Sequence, residues 1–446
     1  MTWLGWTSIS DEEIRAAERA ADLDEQDVRD ELGLSFLHFL YADRFFPGTS
    51  TQMTKLRYVL FVAAAYERLR QEARDGAPDE LLPGLEWDIA VQLKEAVENA
   101  GQSLTRSGVI GWTVVDRSSR SGRGKVPKVL PSMSYFTALA HWQIFDRRDR
   151  WPVRPVMHAD WKIYTRRTLR GGDVENERRN LFCSELEEKW QEGLQSTHSL
   201  KDLGELGRPL GFDLDRWEVD FLRERMSSVV RPGSNAPALL ARVANSKSGL
   251  LGLVRAPNFW EADFERLVSD DDAEAKALVR AKATSALMHV CNAAYVVLVA
   301  RRCRDRDKVS RAKEVVDRAE AALSQLRSGY EAKLVAELQP ETVLMDREAS
   351  GPVRAGNLFK FLEEAKQWMK SGKDIRHLEH SFAVREAQAK GASLRARLCE
   401  AKDLRSEWIA RRIKDVDSDR PLTRPPDFRW GIASSLLSEL TVKPTK

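Results

Sequence analysis

The sequence predicts a mainly α, multi-helical protein built from several domains. Apolar residues recur every three or four positions through most of the 446 residues, the spacing that places them on one face of a helix. Helix boundaries support this prediction. Ser10 and Glu13 form a capping-box pattern at a first helix over residues 11–21, and Gly101 follows a helical pattern over residues 87–100.

The first sharply marked helix boundary is a polar turn at residues 47–51, which precedes one of the most apolar helical patterns. Hydroxyl side chains are typical N-caps, so a helix is expected to begin near Thr51. The free N–H groups of such a helix end, with two nearby cations, could hold a phosphate or carboxylate; the alternative is an ordinary cap without a ligand. The candidate anion-binding residues are Thr49, Ser50, Thr51, Lys55 and Arg57.

A short β-like run over residues 109–115 interrupts the helical pattern before a loop rich in Ser, Gly and Arg. We therefore expect a small β-hairpin or winged element around residues 108–130. Ser132 or Ser134 is expected to cap the next helix. Residues 272–301 form the longest and most apolar helical pattern, and six of its residues are expected to face a core: Leu287, Val290, Cys291, Ala294, Val297 and Leu298.

Composition changes along the chain suggest three domains. We predict an N-terminal helical domain with a basic loop at residues 1–180 and a central helical domain at residues 181–307. We predict a third, charged helical domain at residues 308–446. Its apolar residues recur every three or four positions, a pattern that favours antiparallel pairs of helices.

The overall composition is typical of a soluble globular protein, with 42% apolar and 31% charged residues. The apolar run at residues 293–300 is far shorter than the roughly 20 residues that cross a bilayer, and the N-terminal segment has no secretory pattern. Cys183, Cys291, Cys303 and Cys399 are scattered, which argues against a disulfide framework or a zinc knuckle. We expect a cytoplasmic protein without a membrane partner.

Charge is distributed unevenly. Residues 1–100 carry 10 basic and 20 acidic side chains, whereas residues 101–172 carry 14 basic and 4 acidic ones. Trp142, Trp151, Trp161 and Tyr164 are interleaved with the basic side chains, as a surface that stacks unpaired bases requires. The segment therefore predicts contact with nucleic acid, with DNA favoured; a solvated basic face, or pairing with the acidic first hundred residues, is the alternative. The candidate nucleic-acid-binding residues are Arg120, Arg123, Lys125, Lys128, Arg147, Arg148, Arg166 and Arg167.

Enzyme signatures are weak. Asp149, Asp160 and Lys162 have the order of a metal-dependent nuclease, but the (D/E)xK triplet recurs at five other glutamates, so the pattern is close to background. His377 and His380 lack a further zinc ligand at suitable spacing. A nucleophile elbow, a Walker A loop and a Rossmann fingerprint are absent. We expect no metal, no cofactor and no catalysis.

Several segments resemble an uncharacterised bacterial family, domain of unknown function 6361. The resemblance is carried by residues 4–10 (LGWTSIS), 40–62, 108–111 (GVIG), 131–136 (PSMSYF), 219–226 and 427–440. The chain departs from the family at residues 62–66, VAAAY, where members usually have Pro and Trp. The resemblance implies no catalytic residues, but it implies a setting in defence or mobile-element loci beside helicase-like proteins.

These observations favour a non-catalytic subunit of a bacterial anti-phage defence system that contacts nucleic acid or acts as an adaptor, with partners such as a helicase. Two alternatives stay open. One is a metal-dependent nuclease that uses Asp149, Asp160 and Lys162, and the other is a structural helical scaffold that recruits a helicase.

Overall fold

The computed structural model of the protein describes most of the chain. The described residues are 30–72, 78–115, 130–145, 182–194, 210–246, 249–256, 259–307, 312–347, 356–391, 396–399, 402–418 and 420–441.

The described residues are mainly α-helical, as the sequence predicts. The first nine α-helices are α1 (Ser35–Phe45), α2 (Tyr58–Glu72), α3 (Pro78–Asn99), α4 (Leu104–Ser107), α5 (Pro131–His141), α6 (Ser184–Leu194), α7 (Arg216–Ser227), α8 (Leu239–Asn245) and α9 (Leu250–Val254). They are followed by α10 (Asp272–Asp307), α11 (Ala312–Ser328), α12 (Tyr330–Glu337), α13 (Gly356–Ser371), α14 (Glu379–Ala389), α15 (Lys402–Asp417) and α16 (Trp430–Glu439). Short 3₁₀ turns occupy Phe259–Glu261, Glu265–Val268, Pro340–Asp346 and Ile375–Leu378.

The structure does not support the β-hairpin expected around residues 108–130. Residues 110–114 form turns, in which the Val114 N–H donates to Gly111 O at 3.0 Å. Gly111 has a φ of 82°, a left-handed conformation that ends an extended run. Residues 116–129 lie outside the described part of the chain.

The described chain divides into two compact units, and each contains segments that are distant in sequence. Unit 1 combines residues 30–40 with residues 271–426, and unit 2 combines residues 41–270 with residues 427–441. The three sequence-based domains, residues 1–180, 181–307 and 308–446, stay a prediction.

Unit 1 is organised around α10, which packs against α11, α12 and α15. This helix contains no Gly or Pro, and all six residues expected to face a core are buried. Residues 293–300 are buried on every side of the helix. Because the surroundings cover all faces, the apolar pattern is wider than a single stripe.

The segment Asp272–Cys303 of α10 is also long and apolar enough to cross a membrane, judged by length and composition alone. Most of it is buried within the protein. The core helix of a soluble protein passes the same test, so this feature is weak evidence for a membrane span.

Replacement of Leu287 by alanine should lower the free energy of unfolding by about 2–5 kcal/mol, because the side chain is only 1% exposed and its removal leaves a cavity. Chemical denaturation measures this loss. The matched control is Leu251→Ala, at a side chain that is 44% exposed, where a change within about 0.5 kcal/mol is expected. Equal losses at the two positions would contradict the buried packing of α10.

Unit 2 has an aromatic core that joins residues from both of its chain segments. Phe259 lies among the rings, with its centroid 4.8 Å from Phe264 and 5.7 Å from Phe45. Phe428 and Trp430 contact it at centroid distances of 6.3 Å each. The final helix α16 is therefore held in unit 2 by the same apolar cluster that buries the end of α1.

Helices α2, α3 and α5 form a second part of unit 2, in which α2 packs against both neighbours. Helix α5 begins at Pro131, with Leu130 at the N-cap. The prediction that Ser132 or Ser134 caps this helix was therefore wrong. Both serines are buried inside its first turns, and the proline defines the start because its fixed φ suits the first helical position.

Candidate functional site

The predicted anion-binding residues lie in the connection between α1 and α2, residues 46–57, which we name the entry turn. Helix α2 begins at Tyr58, so the expectation of a helix start near Thr51 was wrong. The physical reason is the direction of the Thr49 hydroxyl, which donates backwards to Phe46 O at 2.7 Å rather than capping a following helix. Residues 49–57 form turns and irregular backbone.

The three hydroxyl residues of the entry turn have different surroundings. Thr49 is buried, with 3% exposure. Ser50 is half-buried, and its Oγ accepts the Gln52 N–H at 3.5 Å. Thr51 is exposed. Only the last of these hydroxyl side chains is largely open to solvent.

Lys55 faces a carboxylate from the last helix of the same unit. Its Nζ lies 3.7 Å from Glu439 Oε1. The second oxygen, Glu439 Oε2, accepts the backbone N–H of Leu56 at 2.9 Å. Burial raises the pKa of Glu439, while the hydrogen bond from Leu56 and the charge of Lys55 act in the opposite direction. A protein carboxylate thus occupies the position at which the sequence predicted an external anion.

Arg57 is held by a second carboxylate. Its Nε donates to Glu218 Oε1 at 3.0 Å, and its Nη2 lies 2.9 Å from the same oxygen. The Nη1 group donates to Gly211 O at 2.8 Å. Glu218 also completes a capping box with Asp215 at the start of α7. Burial raises the pKa of Glu218, and the charge of Arg57 partly offsets this effect.

Tyr135 of α5 fixes the backbone of the entry turn. Its Oη accepts the N–H groups of Thr54 and Lys55 at 2.8 and 3.0 Å, and it donates to Lys55 O at 2.8 Å. The Thr54 hydroxyl donates to Gly108 O at 2.6 Å. Burial raises the pKa of Tyr135 to about 12, so the phenol stays protonated at neutral pH and keeps its donor.

Arg429, in the segment before α16, holds the other end of the entry turn. Its Nη1 donates to Thr49 O at 2.8 Å and to Asp43 Oδ1 at 2.7 Å. Arg429 has a φ of 69°, an uncommon left-handed conformation for a residue other than glycine. The segment 427–440 is therefore shaped to contact residues 43–56, although the two are far apart in sequence.

Trp142 was predicted to belong to the surface that stacks bases, but the structure buries it completely. Its Nε1–H donates to Pro47 O at 3.1 Å, so the ring supports the entry turn. A buried indole cannot act as a stacking platform, and this part of the prediction was wrong.

The other predicted nucleic-acid residues lie outside the described part of the chain, namely Arg120, Arg123, Lys125, Lys128, Arg147, Arg148, Arg166 and Arg167. The aromatic candidates Trp151, Trp161 and Tyr164 and the nuclease candidates Asp149, Asp160 and Lys162 also lie outside it.

Metal-ligating side chains do not gather within the residues that the structure describes: no group of three or more His, Cys, Asp or Glu there could hold a metal ion. His377 and His380 are both exposed. The Nδ1 atom of His377 lies 3.0 Å from Asp374 O, at a short 3₁₀ turn.

The entry turn, Gly108 and Tyr135 all lie within residues 1–145, the part of the chain that matches a family model. Residues 1–145 match the family DUF6361, a family of unknown function. No curated protein and no solved structure matches the chain. The DUF6361 match includes Lys55 and Arg57 but ends before their carboxylate partners Glu218 and Glu439. Of the later segments that suggested the resemblance, residues 131–136 lie within the match and residues 219–226 and 427–440 lie beyond it.

Sequence reasoning missed the residues that organise the entry turn, namely Tyr135, Glu218, Arg429 and Glu439. Their hydrogen bonds to the turn span between 80 and 383 residues of chain. The two outer segments, residues 40–62 and 427–440, both stood out as motifs. The feature of the sequence that could have linked these two segments is a pair of opposite charges, because Asp43 of the first binds Arg429 of the second in the structure.

Proposed function

We propose that this chain is a non-catalytic subunit that contacts nucleic acid or acts as an adaptor, within a bacterial anti-phage defence system. The observation that carries the nucleic-acid contact is the excess of 14 basic over 4 acidic side chains in residues 101–172. Clustered Lys and Arg release counterions from a phosphate backbone, which provides most of the affinity in sequence-independent binding. The defence setting is supported only by the resemblance to a family whose members tend to come from such loci.

The geometry of the entry turn favours the basic segment, rather than the turn, as the surface for nucleic acid. Lys55 and Arg57 each contact a carboxylate of the same unit, so an external phosphate would have to displace Glu439 or Glu218. Displacement would expose a carboxylate to the incoming phosphate, and like charges at close range repel. We infer that the entry turn holds α16 and α7 through these two ion pairs. We propose that the nucleic acid contacts residues 117–170.

The test replaces Arg120, Arg123, Lys125 and Lys128 together by alanine. Binding to DNA and RNA oligonucleotides, measured by fluorescence anisotropy over a range of salt concentrations, should weaken. The slope of log affinity against log salt should fall by about 3–4 if all four side chains contact phosphates of a duplex. An unchanged affinity and slope would reject the proposal.

The matched control removes four exposed lysines elsewhere, Lys313, Lys333, Lys360 and Lys414, and therefore causes the same change in net charge. It should leave the salt slope almost unchanged. If both variants lose binding equally, the interaction depends on net charge and not on the basic segment.

Cleavage and co-purification assays on the purified protein distinguish the two alternative functions, a nuclease and a structural scaffold. Cleavage of DNA with Mg²⁺ or Mn²⁺ that disappears in folded Asp160→Ala and Lys162→Ala variants would favour the nuclease, because these changes remove a metal ligand and a charge stabiliser. Co-purification with a helicase-like partner without intrinsic nucleic-acid binding would favour the scaffold.

A further inference from the structure

Glu86 of α3 is a buried carboxyl group that the proposed function does not use. Its side chain is only 1% exposed. One oxygen accepts the backbone N–H of Ser132, and the other accepts the Ser132 hydroxyl at 2.9 Å. Ser132 lies in the first turn of α5, so Glu86 binds the end of that helix where the N–H groups have no partner within the helix.

In the described part of the chain, no cation compensates the charge of Glu86. Among the described residues, the titratable groups that interact electrostatically with Glu86 are the phenols of Tyr58 and Tyr66 on α2, whose pKa values are raised by burial and by the charge of Glu86. From α5 it meets Ser132, and within the described residues no Lys, Arg or His contacts it. Burial raises the pKa of Glu86 to about 7, although the two hydrogen bonds from Ser132 favour the charged form.

The helix that Glu86 binds is also the helix that fixes the entry turn. Tyr135 follows Ser132 by one helical turn, and it holds the N–H groups of Thr54 and Lys55. Burial and the charge of Glu86 raise the pKa of the Tyr66 phenol, and Ser132 acts in the opposite direction. A movement of the first turn of α5 would therefore change the support of Thr54 and Lys55.

We propose that Glu86 is a proton-sensitive latch in unit 2. With a proton on Oε2, the buried carboxyl group donates to Ser132 Oγ while Oε1 still accepts the Ser132 N–H, and α5 holds the entry turn through Tyr135. Without the proton, the first turn of α5 opens to water to hydrate the carboxylate, and Tyr135 loosens its hold on Thr54 and Lys55.

The direction of the pH dependence follows from linkage. In the closed state Glu86 binds its proton more tightly than in an open, hydrated state, where its pKa returns to the ordinary value of 4.5. The stabilisation of the closed state is complete below that value and is lost as the pH rises through about 7. The population of the open state should increase on the order of a hundredfold across this interval, since each pH unit contributes up to a factor of ten.

Hydrogen exchange of the intact protein tests the latch. Peptides covering residues 52–57 and 130–137 are followed by mass spectrometry between pH 4.5 and 8.5, and each rate is divided by the intrinsic rate at that pH. In the natural protein we expect the protection of both peptides to fall together, on the order of a hundredfold, and to level off above pH 7. A peptide from α10 in unit 1 provides the internal reference and should keep constant protection.

Two variants separate the latch from a general pH effect. Glu86→Gln keeps the size and one acceptor oxygen but cannot ionise, so the fall in protection of residues 130–137 with rising pH should disappear in this variant. Residues 52–57 can keep a smaller pH dependence, because they also contact Glu439 and Glu218, whose pKa values burial raises. The control Glu98→Gln makes the same change at an exposed position of α3 and should behave like the natural protein. If Glu86→Gln does not fold, the profile of the natural protein still decides. Constant protection of residues 130–137 from pH 4.5 to 8.5, or an identical fall in Glu86→Gln, would overturn the proposal.

Discussion

Replacement of Glu386 by alanine is expected to lower the free energy of unfolding of unit 1 by about 3–5 kcal/mol, the cost of breaking a buried charge network by removing one member. The side chain is fully buried. Its Oε1 accepts from Tyr295 Oη at 2.6 Å and from the Arg397 N–H at 2.8 Å, and its Oε2 accepts the Leu398 N–H at 2.9 Å. The ammonium group of Lys390 lies 2.5 Å from Oε1. Alanine would leave the Tyr295 hydroxyl and the N–H groups of Arg397 and Leu398 without this acceptor, whereas Lys390 would keep its ion pair with Glu31 at 2.7 Å.

Thermal or chemical denaturation measures the Glu386 effect, and Gln388→Ala is the matched control because it truncates an exposed side chain on the same helix, α14. The control should change stability by no more than about 0.5 kcal/mol. Residues 396–399 have little regular structure of their own, so their hydrogen exchange should rise in Glu386→Ala. A stability loss below 1 kcal/mol would mean that the network is not required to hold that segment.

Glu86 and Glu386, two of the buried glutamates in the described part of the chain, show how local partners determine the sign of a pKa shift. Burial alone would raise the pKa of Glu386, but the hydrogen bonds from Lys390 and Tyr295 outweigh it and hold that pKa below its usual value. Among the described residues, Glu86 receives the two hydrogen bonds from Ser132 and no others, and burial prevails. Glu386 therefore stabilises unit 1 above its ordinary pKa and loses this effect in acid, whereas the stabilisation associated with Glu86 is lost as the pH rises.

The sequence predicted α10 well because its signal is local. An uninterrupted stretch of helix-forming residues with apolar spacing specifies both the helix and the buried positions, so Leu287 and Val297 could be assigned to the core without knowledge of any partner. The β-like run at residues 109–115 was also a local signal, but it competed with Gly111, whose left-handed conformation turns the chain.

The entry turn could not be predicted because its structure depends on tertiary contacts. Thr49 and Thr51 suited an N-cap, and no local feature indicated that the Tyr135 phenol, 80 residues away, would take the N–H of Lys55. Glu439 approaches Leu56 across 383 residues of chain. Lys55 and Arg57 pair with Glu439 and Glu218 of the protein itself, partners that the fold brings to them, and binding of an external anion at this turn stays a prediction.

Replacement of Gly48 by alanine is expected to lower the free energy of unfolding of unit 2 by about 3–6 kcal/mol, the combined cost of a strained backbone, an overpacked site and a lost buried hydrogen bond. Gly48 has a φ of 84°. A Cβ atom there would lie 2.6 Å from Trp142 Nε1, a distance that Cβ atoms essentially never show in folded proteins, and 3.0 Å from His141 Cβ, which is tighter than most Cβ contacts. The indole would have to move, and its hydrogen bond to Pro47 O would break.

The control for Gly48 is Gly101→Ala. Gly101 also has a left-handed φ, 66°, but nothing lies within 4 Å of an added Cβ. Its replacement should cost only the backbone strain, about 1–2 kcal/mol, so the difference between the two variants measures the contact with Trp142. Tryptophan fluorescence during urea denaturation reports both stabilities. Because Arg429 binds the next residue, Thr49, the Gly48 variant should also increase hydrogen exchange in residues 427–433. Equal stabilities of the two variants would show that the entry turn does not depend on its packing against Trp142.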